Sequence, residues 1–467
     1  MSCGLSSTLW MHSFCVLVGG ESMTIAKYIT PITHLGLGAS TVRCGLAHSR
    51  ELCETCPHAD GLTSVGYMGY QHFPGSLLPT LTNLKWLSNR EDFFPFLHCF
   101  CGPTLKTLTL SPVAWSVRKC VAVASLAPSC PFLEDLLCFG AEDSSMQAIS
   151  EAVVGWKKLE VLEAGPVNER ALTHAASLQT LQSLRFSASS DLTSHVLEFC
   201  SPDAVIEIVA LTPSYLQAFM QNIHFSIQYL HLRCSLYDAA FPHLFFSHLK
   251  ACVVHPEKLT WLSLLVGTTS KEDISNESIV LTSLMLHPLL SFKGLDYLDL
   301  GQSCTAHMDD TFLSELALSC PGLSQLYLGD QKVWLIAPLL TFDGVASLLK
   351  HCRQLSSLGV FFNATLVSDT AHAAPVDAVS PKIKNFLVGA SPIDEPVKVA
   401  AVLSFLFPNA TCISHCIPEK SPKQLQARMK KWESVDKMFG IFVSARKQSW
   451  EQGWAEGKAA AEKIIIA

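Results

Sequence analysis

Positive charge is thin and scattered in this chain of 467 residues: Lys and Arg number 33 against 40 Asp and Glu, the formal net charge is −7, and no dense basic run occurs. Nucleic-acid phosphates are held by clustered Lys and Arg, so DNA and RNA are not expected partners. Charged residues of both signs make up only 16% of the chain and hydrophobic ones 49%. That balance excludes a disordered polymer and predicts a large buried core. Long apolar runs are missing too. No window combines about 20 apolar residues with freedom from charge, so no membrane span is expected. The stretch TLWMHSFCVLVGG (8–20) has the length of a signal-peptide centre but no Lys or Arg before it. Secretion is therefore not expected, and the chain is assigned to the cytoplasm or nucleus.

The usual enzyme signatures are also absent: no Gly-rich loop ends in Gly-Lys-Ser or Gly-Lys-Thr, and neither His-Glu-x-x-His nor Gly-x-Ser-x-Gly occurs. No catalytic residue, cofactor or metal ligand is assigned, and the chain is expected not to be an enzyme. Gly36 and Gly38 in HLGLGAST lack the third glycine and the acid of a dinucleotide site, and read as a loop turn. Cys44, His48, Cys53, Cys56 and His58 have zinc-like spacing, but no second Cys-x-x-Cys completes the set, and packing roles are expected. The sequons at Asn276, Asn363 and Asn409 are read as chance.

What the chain does have is a repeated phrase. The pattern L-x-x-L-x-L, with Ile, Val, Phe or Cys as substitutes, starts at Leu105, Leu133, Ile227, Leu259, Leu295, Leu323 and Leu355. Weaker copies start at Leu81, Leu159, Leu181, Ile383 and Ala410, and the intervals run from 22 to 46 residues. Alternating L-x-L makes a short strand with leucines on one side and display residues on the other. Stretches such as DDTFLSELALSC (309–320) and DGVASLLKHC (343–352) predict helices, each opening with an Asp near its start. One such unit cannot bury its apolar face alone, so neighbours must stack. The expected fold class is α/β: a leucine-rich-repeat solenoid, or horseshoe, with a parallel inner sheet and outer helices.

The eighteen cysteines fit this frame as reduced thiols. Cys130 and Cys320 each stand three residues before the first strand leucine, followed by a proline that stops the preceding helix. Cys352 holds the same position, and Cys56 does so in a decayed copy. A buried thiol there acts as a small apolar plug. At the other end, Leu425, Met429, Trp432, Val435, Phe439 and Phe442 keep helical spacing after Pro422, predicting a helix that closes the array. The final AEGKAAAEKIIIA is expected to fray.

The phrases SCPFLEDL and SCPGLSQL, the stretch WLSNREDFFPFLHCFCGPTLKTLTLSP (86–112) and VLSFLFPNATCIS resemble the divergent fungal F-box-type leucine-rich-repeat proteins, over roughly residues 55–445. The resemblance implies a repeat surface that holds a protein substrate and an F-box that docks the adaptor of a cullin ubiquitin ligase. Residues 1–55 show no Leu-Pro opening and no helical periodicity of an F-box, so the adaptor is expected as a partner only if an F-box is present. Three segments follow: 1–55, poorly defined; 56–418, the solenoid; and 419–467, a capping helix with its tail.

The working surface is expected on the concave sheet, where display residues alternate with core leucines. Aligning the phrases gathers Tyr229, His231 and Arg233, then Trp261 and Ser263, Tyr297 and Asp299, Gln325 and Tyr327, with Phe361 beyond. Aromatic rings and arginine dominate protein interfaces, which makes these the candidate protein-binding residues. The opposing expectation is that a long loop such as 266–278 covers them. The function read from this surface is protein recognition, as a ubiquitin-ligase substrate receptor or as a scaffold or regulatory binder with no ubiquitin link. A hydrolase hidden in the frame would need Ser, His and Asp converging in one pocket.

Overall fold

The computed structural model of the chain describes residues 34–37, 81–86, most of 94–188, 195–267 apart from 200 and 202, 273–367, 378–417 and 422–466. The backbone forms two compact units, one of residues 1–193 with 197–204, the other of residues 194–196 with 205–467. Among the described residues, no helix is long and apolar enough to cross a membrane.

In the first unit the strands β1 (His34–Leu37), β2 (Asn83–Trp86), β3 (Thr107–Leu110), β4 (Asp135–Cys138), β5 (Val161–Pro166) and β6 (Ser183–Ser187) pair in chain order, all parallel. Equivalent leucines oppose one another, so Leu84, Leu108, Leu136, Leu162 and Leu184 form one buried column. Helices α1 (Val117–Ala124), α2 (Asp143–Gly155) and α3 (Glu169–Ser177) connect β3 through β6 and bury their apolar stripes, Val123, Ile149, Val153 and Leu172 among them.

The second unit repeats the scheme with β7 (Val205–Ala210), β8 (Tyr229–Cys234), β9 (Trp261–Val266), β10 (Tyr297–Leu300), β11 (Gln325–Leu328), β12 (Ser357–Val360), β13 (Asn385–Leu387) and β14 (Cys412–Ser414), again parallel and in chain order. Its core column runs Ile206, Leu230, Leu262, Leu298, Leu326, Leu358, Phe386 and Ile413, all buried. The helices α4 (Pro213–Met220), α5 (Phe245–Cys252), α6 (Asp310–Ser319), α7 (Phe342–His351) and α8 (Pro396–Leu406) lie between the strands in sequence. Burying one such leucine contributes about 1.5–3 kcal/mol, whereas ordering each residue of a repeat costs about 1–2 kcal/mol of backbone entropy. One unit's own leucines cannot offset that cost, and column-wise stacking on both neighbours supplies the rest.

All twelve sequence phrases lie on strands, which establishes the α/β leucine-rich-repeat solenoid. Two local expectations change. The 46-residue interval between Leu181 and Ile227 conceals a further repeat, β7, whose Ile206 follows Leu184 by 22 residues and precedes Leu230 by 24. Its phrase escapes the template because Asp203 takes the first apolar position. Gly36, expected in a turn, lies in β1 opposite Lys85. Helix α7 is capped by Thr341, whose hydroxyl accepts the Asp343 N–H, so Asp343 sits in the first turn; in α6 Asp309 is itself the cap, accepting the Phe312 N–H at 2.9 Å. The cluster from Cys44 to His58 lies outside the described residues.

The helix-exit cysteines do more than plug space. Cys130, Cys320 and Cys352 are buried free thiols. The Cys320 S–H donates to the carbonyl of Phe292 at 3.3 Å and the Cys352 S–H to that of Cys320 at 3.5 Å, while the Trp156 indole N–H donates to the carbonyl of Cys130 at 2.9 Å. Each is the same position one repeat earlier, and each carbonyl also accepts the backbone N–H three residues on, so a ladder of side-chain donors ties consecutive units at the start of the strand phrase. Burial pushes the Cys320 thiol up to about 11 and that of Cys352 to about 12, and these two stay protonated donors at neutral pH.

The second unit ends in helix α9 (Lys423–Ile466). Leu425, Trp432, Val435 and Phe439 are buried beneath it, as their spacing predicts. The Trp432 indole N–H donates to the Ser391 carbonyl at 2.8 Å, and the Arg446 side chain bonds Ser404 Oγ and the Ala401 carbonyl on α8. Asp436 Oδ1 accepts the backbone N–H of Ile413 at 2.8 Å, satisfying a donor on the edge strand β14 that would otherwise invite another strand. The terminal segment expected to fray is helical through Ile466.

Candidate functional site

On the second unit's sheet, the residues that alternate with the leucine column form two further rows across the strands. The first row is Val205, Tyr229, Trp261, Tyr297, Gln325, Ser357, Asn385 and Cys412; the second is Glu207, His231, Ser263, Asp299, Tyr327, Gly359, Leu387 and Ser414. Strict parallel register thus brings together residues up to about 200 positions apart. Nine of the ten candidate residues fall in this array or directly beside it, Arg233 being two residues beyond His231 on β8.

The rings form a contiguous cluster. Trp261 and Tyr297 stack with centroids 3.6 Å apart and planes within 5°, His231 packs on Trp261 at 5.9 Å, and Tyr327 lies 5.9 Å from Tyr297. Hydroxyls fix the ring positions: Tyr297 donates to Asp299 Oδ2 at 3.2 Å, and the Tyr327 hydroxyl bonds Ser357 Oγ at 2.7 Å. Arg233 pairs with Glu207 through Nε at 3.0 Å, with both groups partly exposed. Tyr229, His231, Trp261, Tyr297, Gln325 and Tyr327 are half-buried and present part of their surface.

Three candidates are corrected. Phe361 is fully buried, packed with Ile279, Cys304, Ala306, Trp334 and Ile336, and belongs to the core. It follows the last residue of β12, where the strand alternation that predicted its direction has ended. Ser263 (2% exposed) and Asp299 (6%) belong to the row but form its floor. Part of the long loop expected over this face, 268–272, lies outside the described residues, and the turn after β11 lies against Asp299. There Gln331 Nε2 donates to Asp299 Oδ1 at 3.3 Å, and Lys332 reaches past the ring of Tyr237 to the carbonyls of Val266 and Gly267. Gly329 allows this turn, with φ at +69°.

Sequence reasoning missed Asp330, a buried acid on the turn after β11. It is 1% exposed, no side chain donates to either carboxylate oxygen, and only the backbone at Leu328 and at Asp330 itself lies close enough to favour the charged form. Its carboxylate fills the space above Gly359, where a Cβ would come within 2.2 Å of Oδ2, so it reaches into the row of Asp299 and Tyr327. Burial pushes its carboxyl up to about 7, and the charge of Asp299 adds to the shift. Burial likewise raises Asp299, against hydrogen bonds from the Gly301 N–H (2.8 Å), Tyr297 and Gln331. His231 is lowered by burial and so favours its neutral form. The only signal available beforehand was the Leu-Gly-Asp-Gln spelling of a turn, which does not specify where the acid points.

His231, Ser263 and Asp299 occupy adjacent strands at one register, the residue types a hydrolase would require. The serine stands between the other two, His231 makes a ring contact with Trp261, and the Asp299 oxygens are taken by Tyr297, Gly301 and Gln331. No nucleophile–base–acid chain links the three. Among the described residues no group of three His, Cys, Asp or Glu is disposed to hold a metal ion.

No protein-family model matches the chain, and no curated protein matches it. Among solved structures, the chain is similar to yeast Rad7 in its complex with Elc1 (14% identity, covering 83% of this chain and 88% of that one, TM-score 0.37). It is also similar to an internalin from Listeria monocytogenes (14%, 77% and 75%, TM-score 0.29) and to a protein from Bacteroides fragilis (14%, 71% and 79%, TM-score 0.25). The repeat fold rests on the strand pairing of this chain itself.

Proposed function

We propose that the chain is a non-enzymatic protein-recognition module, and that its binding surface is the concave sheet face of the second unit, around Tyr229, His231, Arg233, Trp261, Tyr297, Gln325 and Tyr327. The observation that carries this reading is the aromatic cluster of Trp261, Tyr297, Tyr327 and His231, half-buried rings held in fixed positions on four adjacent strands. Rigid aromatic rings with one side presented are the residue type on which interface energy concentrates, because they add contact area at little entropic cost. The resemblance to F-box-type repeat proteins makes the substrate-holding part of a ubiquitin ligase the setting to test first. A scaffold or regulatory binder without a ubiquitin link is the alternative, and association with a cullin adaptor separates the two.

The test is comparative capture from an extract of the source cells, with wild type, the double variant Trp261→Ala/Tyr327→Ala, and a control altered at the exposed helical Leu318 (L318A). The expected result is a set of proteins retained by wild type and control and lost with the face variant, while the face variant still unfolds cooperatively, at a lower temperature because its ring contacts are gone. A set indifferent to the face variant contradicts the reading.

A further inference from the structure

The floor of this face lacks positive charge. Among the described residues no Lys or Arg forms an ion pair with Asp299 or Asp330. The one arginine on the rows, Arg233, is engaged by Glu207, and Lys332 is turned toward the carbonyls of Val266 and Gly267. Buried carboxylates without a cation or a full set of donors are costly to keep, because the surrounding protein cannot replace their hydration. Asp330 has no cation and no side-chain donor, only backbone at Leu328 and at its own position, and Asp299 keeps acceptor capacity unused: Oδ1 takes Gly301 and Gln331, but Oδ2 takes only the Tyr297 hydroxyl, at a long 3.2 Å.

The rings directly above this floor favour the same kind of ligand. Trp261, Tyr297 and Tyr327 carry electron-rich faces, to which a guanidinium or ammonium is attracted. The ring-bearing strands, β8 through β11, lie about 4.8 Å apart, so their row spans about 14 Å, the reach of about four residues of extended chain.

Resting on the proposed binding face, we infer that its partner is a protein segment presenting an arginine or lysine, whose cationic head lies against Tyr297 and Tyr327 and supplies the charge missing over Asp299 and Asp330. The rings make the contact. Asp299 and Asp330, closed off beneath, supply the negative potential without touching the ligand.

A random-peptide library selected on the full chain tests this, with each enriched peptide remeasured by calorimetry on wild type, Trp261→Ala, Asp299→Asn and Tyr297→Phe. Asparagine keeps an acceptor for the Gly301 N–H and phenylalanine keeps the ring, so these two variants retain the fold, which melting curves verify. The expected outcome is a basic residue at a shared peptide position. Replacing an arginine there by citrulline, or a lysine by norleucine, should weaken binding roughly tenfold, Asp299→Asn should erase the preference for charge, and added salt should weaken the native pair. Peptides that depend on Trp261 but share no basic position overturn this inference and leave the binding face standing. Peptides indifferent to Trp261→Ala, or no enrichment at all, count against both.

Discussion

At Asp330, a carboxyl raised to about 7 and only 1% exposed has consequences for stability that can be measured without knowing any partner. A carboxyl whose folded pKa lies above its unfolded value near 3.8 binds more protons in the native state between those two pH values. Its stabilising effect is therefore full in acid, declines as pH rises from about 4 toward 7, and is lost above 7. Asp330→Asn, which removes the charge and keeps the shape, is expected to raise stability at pH 8 by on the order of a few kcal/mol and to flatten the decline. Denaturant titrations from pH 4 to pH 8 check it, and an unchanged or steeper pH profile in the variant would refute the assignment. Asp299, raised in the same direction, adds a smaller slope of the same sign.

At the scale of elements, α9 carries the protection of an open edge. Its Asp436 occupies the Ile413 N–H of the last strand, and its Trp432 fills the space behind with an indole bonded to Ser391. Trp432→Ala is expected to cost about 3–5 kcal/mol through the cavity and the lost hydrogen bond. Asp436→Ala is expected to cost only about 1–2 kcal/mol but to free the edge donor. The two variants differ in kind, because hydrogen exchange at Ile413 should rise selectively in Asp436→Ala, with concentration-dependent association visible in light scattering. Uniform exchange and a monodisperse variant would show that the edge is guarded by something other than this carboxylate.

For the whole molecule, the leucine phrases were readable because a two-residue alternation inside a fixed-length unit leaves no choice of register: a slip by one residue would turn every leucine outward. Where that logic lapses, so does the reading. Asp203 replaces one apolar position and conceals β7, and Phe361 lies one residue past its strand and points into the core. Asp299 has the right direction, but its exposure depends on the turn at 329–332, whose path follows from Gly329 and from contacts with Val266 and Gly267 more than 60 positions away. Asp330 was invisible for the same reason. Sequence periodicity reports which face a side chain takes, while covering turns are set by tertiary contacts that no local pattern encodes.

Strand register is the feature on which core, ring cluster and acidic floor all depend, and the stacked pair of Trp261 on β9 and Tyr297 on β10 reports it directly. A double-mutant cycle of Trp261→Ala and Tyr297→Ala, read by denaturant unfolding of the full chain, is predicted to give a coupling energy of about 0.5–1.5 kcal/mol. Strictly additive effects would mean that the two rings do not meet, and would contradict the parallel pairing from which the proposed binding face is built.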